Sequence, residues 1–389
     1  MKRSTDRILV THAGSLPRPL DLLELIRAKE SGKPYDQQAY ATRVRSAVAE
    51  VVRKQTEQGL DIVDDGEMGK PGFIPYVNER LAGFEPSQEG MGSPFAGSRE
   101  FKAFPEFYEW FARTMPSPAA RSPHMVCTGP ISYTGHRHVQ ADIDNLKAAL
   151  GGARAEDVFM PAISPTSVED WQQNRYYKTQ DEFLFAIAEA MREEYTAIVD
   201  AGFVVQIDDP HIATYYTLHP DASVAQCRRW AERHIEALNH ALRDLPRDKV
   251  RWHTCYGINI GPRVSDMELK DIVDVFLKVR AGAYSFEAAN PRHEHEWRVW
   301  EKVTLPAGAV LIPGVITHSS VLVEHPELVA ERIVRFARIV GRENVIAGAD
   351  CGFGTFAGSV EIHESVVWAK FKALAEGARL ATLELWGRA

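Results

Sequence analysis

The chain has 389 residues, of which 45% are hydrophobic, and its formal net charge at pH 7 is −8. An excess of acidic over basic residues, 53 against 45, argues against nucleic acid as a partner. No apolar run is long enough for a signal peptide or a membrane span, so we expect a cytoplasmic protein. The length exceeds that of an average single domain, but α/β barrels often reach it as one domain.

Eight short apolar runs alternate with helical patterns along the chain. The runs are rich in β-branched residues and show little polar alternation, as is typical of strands buried on both faces of a parallel sheet. The predicted strands are 8–12, 61–65, 124–128, 204–208, 250–255, 283–287, 311–317 and 345–351. The predicted helices are 40–59, 181–202, 222–245, 266–281, 326–341 and 361–384.

Alternating strands and helices indicate βαβ units, and eight units predict a single (β/α)8 TIM barrel over residues 1–389. The alternative is a doubly wound open sheet, but no G-x-G-x-x-G motif follows the first strand. Two irregular stretches, 85–123 and 152–179, precede the predicted third and fourth strands. We interpret both as extended loop insertions, which either cap a site or are ordinary surface insertions.

Titratable residues end nearly all of the predicted strands. The active site of a TIM barrel lies at the C-terminal ends of its strands, so these residues predict a functional site there. The residues at these ends are His12, Asp64, Asp65, Glu67, Asp208, Asp209, His211, His253, Cys255, Glu287, His318, Asp350 and Cys351.

Four of these residues form a candidate zinc site. His253 and Cys255 are two residues apart, so on a strand their side chains point to the same face. Cys351 and Glu287 follow strands that a barrel places nearby, and two thiolates, an imidazole and a carboxylate suit tetrahedral zinc. The alternative is that both cysteines are ordinary buried residues and His253 is a hydrogen-bonded core histidine.

The ligand set indicates the type of reaction. Two thiolates and a carboxylate more than offset the charge of Zn²⁺, so such a site activates water poorly. It suits the binding of an external thiol as a thiolate that attacks carbon. The other two cysteines are expected to be structural, because Cys227 lies in a helical pattern and Cys127 has no histidine on its strand face. Four cysteines are too few for a disulfide framework and suit a reducing compartment.

Motifs spread from residue 11 to residue 355 resemble those of a known family. They are THAGSLPRP (11–19), DDGE (64–67), TGPISY (128–133), QIDDP (206–210), HTCYG (253–257), Glu287, ITHSS (316–320) and ADCGFGT (349–355). In this order they are similar to the C-terminal catalytic barrel of the cobalamin-independent methionine synthases. The resemblance implies a (β/α)8 barrel with a catalytic zinc ion.

The resemblance also implies a role for each matching residue. The positions that match the zinc ligands are His253, Cys255, Glu287 and Cys351. Ser15, Glu67 and Asp208 match the residues that hold homocysteine, and carboxylates there would bind its ammonium group. His318 matches the residue that gives a proton to the departing group, a task suited to histidine.

The resemblance leaves the methyl donor, the acceptor thiol and homo-oligomerisation open. The full synthase has two barrels, whereas this chain has one, and single-barrel relatives include the epoxyalkane:coenzyme M transferases. One hypothesis is a zinc thiol methyltransferase that uses folate or methylcobalamin and makes methionine or another thioether. A second is a transferase that opens an epoxide with a zinc-bound thiolate. A third is a thiol- or zinc-binding barrel without catalytic activity.

Overall fold

A computed structural model describes residues 1–87, 95–114, 124–257, 261–359 and 362–387. Its strands are β1 (Leu9–Val10), β2 (Ile62–Val63), β3 (Leu81–Pro86), β4 (Met125–Tyr133), β5 (Asp157–Ile163), β6 (Gln173–Asn174), β7 (Val204–Asp208), β8 (Val250–Thr254), β9 (Ala283–Phe286), β10 (Val310–Ile316) and β11 (Ile346–Ala349). Its α-helices are α1 (Leu20–Glu30), α2 (Gln37–Glu57), α3 (Arg99–Ala103), α4 (Pro105–Thr114), α5 (His136–Leu150), α6 (Pro165–Trp171), α7 (Gln180–Asp200), α8 (His211–Leu218), α9 (Val224–Ala241), α10 (Val273–Phe276), α11 (Pro326–Val340) and α12 (Glu364–Trp386).

Eight parallel strands form a barrel in the order β1–β11–β10–β9–β8–β7–β5–β2. The two outermost strands of this order meet as well. The Asp61 amide donates a hydrogen bond to the Val10 carbonyl at 2.9 Å, and the Thr11 hydroxyl donates to the Ile62 carbonyl at 3.1 Å. The predicted single TIM barrel is therefore confirmed.

Apolar side chains fill the barrel interior below the candidate site. Because successive side chains of a strand point to opposite faces, each strand contributes only alternate residues to this interior. Residues from strands on opposite sides of the barrel pack together there in one cluster: Leu9, Ile62, Phe159, Val204, Ala283, Val310, Ile312 and Ile346. A larger apolar core lies between the strands and the surrounding helices.

Five of the six predicted helices are present close to their expected bounds, as α2, α7, α9, α11 and α12. Each follows a residue whose side chain accepts a hydrogen bond from the first turn: Asp36, Thr179, Ser223, His325 and His363. Among the described residues, no helix is both long enough and apolar enough to cross a membrane.

The predicted helix 266–281 is wrong in its extent. The structure has only a short 3-10 helix, Leu269–Asp271, followed by the four-residue helix α10. The Leu269 amide donates to the Glu296 carboxylate at 2.7 Å, so a tertiary contact replaces a helical hydrogen bond at this end. The β-branched residues Ile272 and Val273 also have low helix propensity.

The predicted third barrel strand, 124–128, is also wrong. This segment is extended, but it belongs to β4, which pairs with β3 antiparallel and with β6 in a separate three-stranded sheet. An apolar run indicates burial on both faces without indicating which sheet the strand joins.

The true third barrel strand is β5, which lies inside the stretch 152–179 that the sequence predicts to be a loop insertion. The stretch also contains α6 and β6, so the predicted insertion there is wrong. The sequence of β5 contains Pro161, and a proline argues against a central strand because it has no backbone N–H to donate. The structure accommodates it because β2 pairs with β5 only as far as Val158, so Pro161 is in register with β7 alone.

The other predicted insertion, 85–123, contains helices α3 and α4, while residues 88–94 and 115–123 lie outside the described residues. Arg99 links this segment to the barrel by hydrogen bonds. Its guanidinium donates to the backbone carbonyls of Tyr216 and Ala222 at 2.8 and 2.6 Å. The segment therefore packs beside α8, the helix that follows strand β7.

Candidate metal centre and substrate site

Polar side chains from four neighbouring strands meet at the C-terminal end of the barrel. His253 lies near the end of β8, and Cys255 follows that strand. Glu287 follows β9, and Cys351 lies two residues beyond β11. His318 follows β10. All five side chains are buried and therefore shielded from bulk solvent.

His253, Cys255 and Cys351 form a group whose potential ligand atoms all lie within 4.8 Å of one another. The two Sγ atoms are 3.2 Å apart, although 96 residues separate the cysteines in sequence. Both cysteines are free thiols. Three of the four predicted metal ligands are therefore brought together by the fold.

The hydrogen bonding of His253 fits a metal ligand. Its Nδ1 lies 3.0 Å from the Ser285 hydroxyl, whereas its buried Nε2 has no hydrogen-bond partner among the described residues. Metal-binding histidines usually use one ring nitrogen for a neighbouring polar group and the other for the metal. Burial lowers the pKa of His253 to about 3, so the imidazole is neutral, as metal binding requires.

The paired thiols favour a bound cation. The hydrogen bond from Cys351 to Cys255, together with burial, raises the pKa of Cys351 well above its ordinary value. Two adjacent buried thiols lose their protons readily only when a positive charge is placed between them. Two sulfurs and an unpartnered imidazole nitrogen are soft and borderline donors of the kind that zinc prefers. The residues present therefore fit a zinc ion.

Glu287, the fourth predicted ligand, accepts hydrogen bonds from three protein donors. Its Oε1 accepts from the Tyr256 amide at 2.7 Å, and its Oε2 accepts from Arg263 Nη1 at 2.9 Å and Asn290 Nδ2 at 2.7 Å. Its carboxylate groups with His318 and Asp350, whose potential ligand atoms lie within 4.8 Å of one another. Metal ligation by Glu287 stays a prediction.

Both ring nitrogens of His318 are buried, and neither forms a hydrogen bond with any residue that the structure describes. Burial lowers its pKa to about 4, and the nearby Asp350 carboxylate opposes that shift only in part. The imidazole is therefore neutral at pH 7, with one N–H available to a ligand in the mouth. The proton-donor role of His318 stays a prediction.

Glu67 and Asp208, which are predicted to bind the substrate ammonium group, lie close enough for their charges to interact. Burial raises the pKa of Asp208 well above its ordinary value, and the Glu67 charge raises it further. Within the described part of the chain, Glu67 Oε2 has no hydrogen-bond partner, and Arg18 Nη2 is 3.8 Å from it. Two buried carboxylates with spare acceptor capacity suit an organic cation.

Ser15, the third predicted substrate residue, lies next to the loop that carries one of the predicted metal ligands. Its carbonyl accepts from the Phe353 amide at 2.9 Å, two residues beyond Cys351. A side chain at Gly352 would collide with the Ser15 hydroxyl, so only glycine allows this close approach. Ser15 is thus placed directly beside the loop that carries Cys351.

Three polar residues of the site were not identified from the sequence. Ser285 lies on β9, two residues before Glu287, so the alternation of side chains along that strand was a signal that pointed to it. Arg263 lies in a loop after β8, and Asn290 lies after β9, so only their contacts with Glu287 reveal them.

Comparisons with known proteins agree with this architecture. The family described as "Cobalamin-independent synthase, Catalytic domain" matches residues 158–367. Methionine synthase from Sulfolobus acidocaldarius is 27% identical over 345 residues, which cover 88% of this chain and 84% of the relative. Methionine synthase from Thermococcus kodakarensis is 25% identical over 341 residues, covering 87% and 84%.

A solved structure shares the fold over nearly the whole chain. It is a B12-independent methionine synthase from a Shewanella species in complex with selenomethionine, with a TM-score of 0.73 and 19% identity. The match covers 98% of this chain and 99% of that structure. The resemblance seen in the sequence motifs is confirmed by the family match. The chain belongs to the family of cobalamin-independent synthase catalytic domains.

Proposed function

We propose that this protein is a zinc-dependent thiol alkyltransferase that transfers a methyl group to homocysteine or a similar thiol. The observation that carries the proposal is the group formed by His253, Cys255 and Cys351, in which two sulfurs lie 3.2 Å apart beside an unpartnered imidazole nitrogen. Family membership and the relatives named methionine synthase support the same activity. The free cysteines suit the reducing cytoplasm.

His253, Cys255 and Cys351 would hold the zinc ion. Bound there, zinc supplies a positive centre that lowers the pKa of an external thiol and keeps its sulfur nucleophilic. The chain contributes the orientation of the donors: Ser285 fixes the His253 ring, and the burial of both cysteines excludes competing water.

The carboxylates across the mouth would hold the other end of the substrate. Glu67 and Asp208 would bind an ammonium group, and their negative charges would be neutralised by it. Ser15, which lies beside the Cys351 loop, would donate its hydroxyl to the substrate carboxylate. An amino acid with a thiol side chain is the kind of molecule that reaches both parts of the site.

His318 would supply a proton to the leaving group, which is the part of the donor that remains after its alkyl group is transferred to the thiol. Its ring nitrogens have no competing protein partner among the described residues, so a proton that the imidazole takes up can pass to the leaving group. Histidine is suited to this step because its protonation changes close to neutral pH when a ligand alters its surroundings.

The proposal can be tested by product analysis. Zinc-loaded protein would be incubated with homocysteine and, in separate reactions, methyltetrahydrofolate, methylcobalamin or an epoxide, and thioethers would be detected by mass spectrometry. We expect methionine with one of the two methyl donors. A thioether formed only with the epoxide would indicate the epoxide-opening transferase instead. Zinc binding without any thioether product would indicate the non-catalytic barrel.

A further inference from the structure

Arg18 is a buried cation at the point where three loops of the barrel mouth meet. It lies in the loop after β1, and its guanidinium reaches the loops that follow β2 and β11. Its side chain is only 1% exposed, so bulk water does not solvate the charge. Burial of a charge is unfavourable unless the protein satisfies its hydrogen-bond donors, so the contacts of Arg18 must offset its desolvation.

Backbone carbonyls accept the hydrogen bonds from Arg18. Its Nη1 donates to the carbonyl of Leu16 at 3.2 Å and to that of Gly354 in the loop after β11. Its Nη2 donates to the carbonyls of Glu67 at 2.8 Å and of Lys70 at 3.2 Å. One side chain therefore joins the loop that carries a predicted substrate carboxylate to the loop that carries a predicted metal ligand.

Glu67 has a backbone conformation that its surroundings must maintain. Its φ is 56°, in the left-handed region that non-glycine residues seldom adopt. The Asp65 carboxylate accepts from the Glu67 amide at 2.9 Å. The Glu67 carbonyl accepts from the Lys70 amide at 3.0 Å and from Arg18 Nη2 at 2.8 Å. The backbone conformation, which sets the direction of the Glu67 side chain, therefore depends in part on Arg18.

The Glu67 carboxylate lies close to the charge of Arg18 without a hydrogen bond between them. Arg18 Nη2 is 3.8 Å from Glu67 Oε2, beyond hydrogen-bond distance, and this oxygen has no hydrogen-bond partner among the described residues. Opposite charges at this separation attract each other more strongly than in water, because both side chains are buried. The lone pairs of Oε2 are consequently left for a donor on a ligand.

The contacts of Arg18 argue against its direct binding of an anionic substrate group. Each Nη atom already donates to two carbonyls, so neither has a further N–H to offer. The remaining donor, Nε, is buried. A substrate carboxylate would therefore find no accessible donor on this side chain, and the role of Arg18 is to be found in its effect on Glu67.

We propose that Arg18 is a positioning residue that holds the Glu67 carboxylate ready for the substrate ammonium group and fixes its distance from the metal ligands. The inference rests on the proposed function, since it assumes that Glu67 binds the ammonium group of a thiol amino acid. A substrate with its sulfur on the metal has its amine at a set distance from that sulfur. The loops that carry Glu67 and Cys351 must therefore keep their spacing, and Arg18 bonds to both.

Thiol binding to the zinc-loaded protein would test this inference without a methyl donor. Affinities for homocysteine and for mercaptobutyrate, which is homocysteine without its amine, would be measured by calorimetry. We expect Arg18→Met to bind homocysteine about 10- to 100-fold more weakly, as when a hydrogen bond to a charged group is lost. Mercaptobutyrate has no ammonium group for Glu67 to bind, so its affinity should stay close to that of the wild type. Zinc content should be unchanged.

A double-mutant cycle separates an effect through Glu67 from a general distortion of the mouth. Homocysteine affinity would be compared in the wild type, Arg18→Met, Glu67→Gln and the double variant. We expect Arg18→Met to weaken binding at least about fivefold more in the wild-type background than in the Glu67→Gln background. Arg18→Lys keeps the charge but can satisfy fewer carbonyls, so its affinity should be intermediate. The same cycle would be run with Arg18→Lys if Arg18→Met does not fold.

Arg332→Met is the matched control. Arg332 is a buried arginine on α11 that donates to the Val315 carbonyl at 3.0 Å and pairs with Glu294 at 3.1 Å. The control therefore also removes a buried guanidinium that bonds to the backbone. It should bind both thiols with the affinity of the wild type.

The outcomes separate this inference from the proposed function. Equal effects of Arg18→Met in the two backgrounds, or equal losses of affinity for the two thiols, would overturn the role of Arg18 and leave the proposed function intact. Unchanged homocysteine affinity in Arg18→Met would also overturn it. Absence of homocysteine binding by the zinc-loaded wild type would overturn both the inference and the proposed function.

Discussion

The two halves of the barrel mouth both present buried electron-pair donors, but the donors differ in kind. On the side of β8 and β11, two thiols and an unpartnered imidazole nitrogen are donors for a soft metal cation. On the side of β2 and β7, Glu67 and Asp208 are hard carboxylates that suit an ammonium group. This difference is what the proposed substrate would require, since it carries sulfur at one end and a cationic amine at the other.

The largest expected effect comes from removing a sulfur from the metal half. The Cys351→Ser variant should lose turnover and bind zinc roughly 100-fold more weakly, because binding free energies of about 10–16 kcal/mol are shared among some four ligands. Zinc content after dialysis and turnover would be measured. The matched control is Cys227→Ser, a change of another buried cysteine that lies on α9. Full zinc content in Cys351→Ser would contradict the ligand assignment.

A change at His318 would test whether proton transfer is separate from metal binding. The His318→Asn variant should keep its zinc and turn over about 100- to 10,000-fold more slowly, the range typical of a general acid. Because burial holds its pKa at about 4, a larger fraction of His318 is protonated as the pH falls, so the wild-type rate should rise below neutral pH.

The control for this experiment is His234→Asn, since His234 lies on α9 and bonds to the Trp230 carbonyl. It should retain the wild-type rate and pH profile. An unchanged rate in His318→Asn would remove His318 from the mechanism, whereas loss of zinc would show that it belongs to the metal half of the mouth.

A smaller effect is expected in the carboxylate half. The Asp208→Asn variant should keep its zinc but raise KM for homocysteine roughly 10- to 100-fold, because a hydrogen bond to a charged group contributes about 1.5–3 kcal/mol. The neighbouring Asp209 bonds to Ser164 and Trp252 instead, so Asp209→Asn should leave KM unchanged.

The pH dependence of KM would sharpen the same test. Burial and the Glu67 charge raise the pKa of Asp208, so the carboxylate gains a proton at a higher pH than an exposed aspartate does. The protonated form binds an ammonium group poorly, and wild-type KM should therefore rise as the pH falls through this raised pKa. A KM of Asp208→Asn that follows the same pH curve would show that another group is responsible.

Seven of the eight barrel strands were predictable because β-branched apolar runs ended at titratable residues. The third was not, because Pro161 makes the sequence of β5 untypical of a central strand. In addition, the apolar run 124–128 has the residue pattern of a barrel strand. Only the pairing partners distinguish these two segments, and pairing joins residues that are far apart in sequence. Glu287 shows the same limit within the site, since its contact with Arg263 depends on the path of a loop.

The sequence by itself determined that His253 and Cys255 share one face of a strand, because side chains of a strand alternate with a period of two. It also determined that the titratable residues gather at one end of the barrel. Only the tertiary structure decided that Cys351 contacts Cys255, which is 96 residues away in sequence. It likewise decided that the Glu287 carboxylate accepts a hydrogen bond from Arg263. Local geometry follows from neighbouring residues, whereas the partner of a buried charge is fixed only when distant loops pack against it.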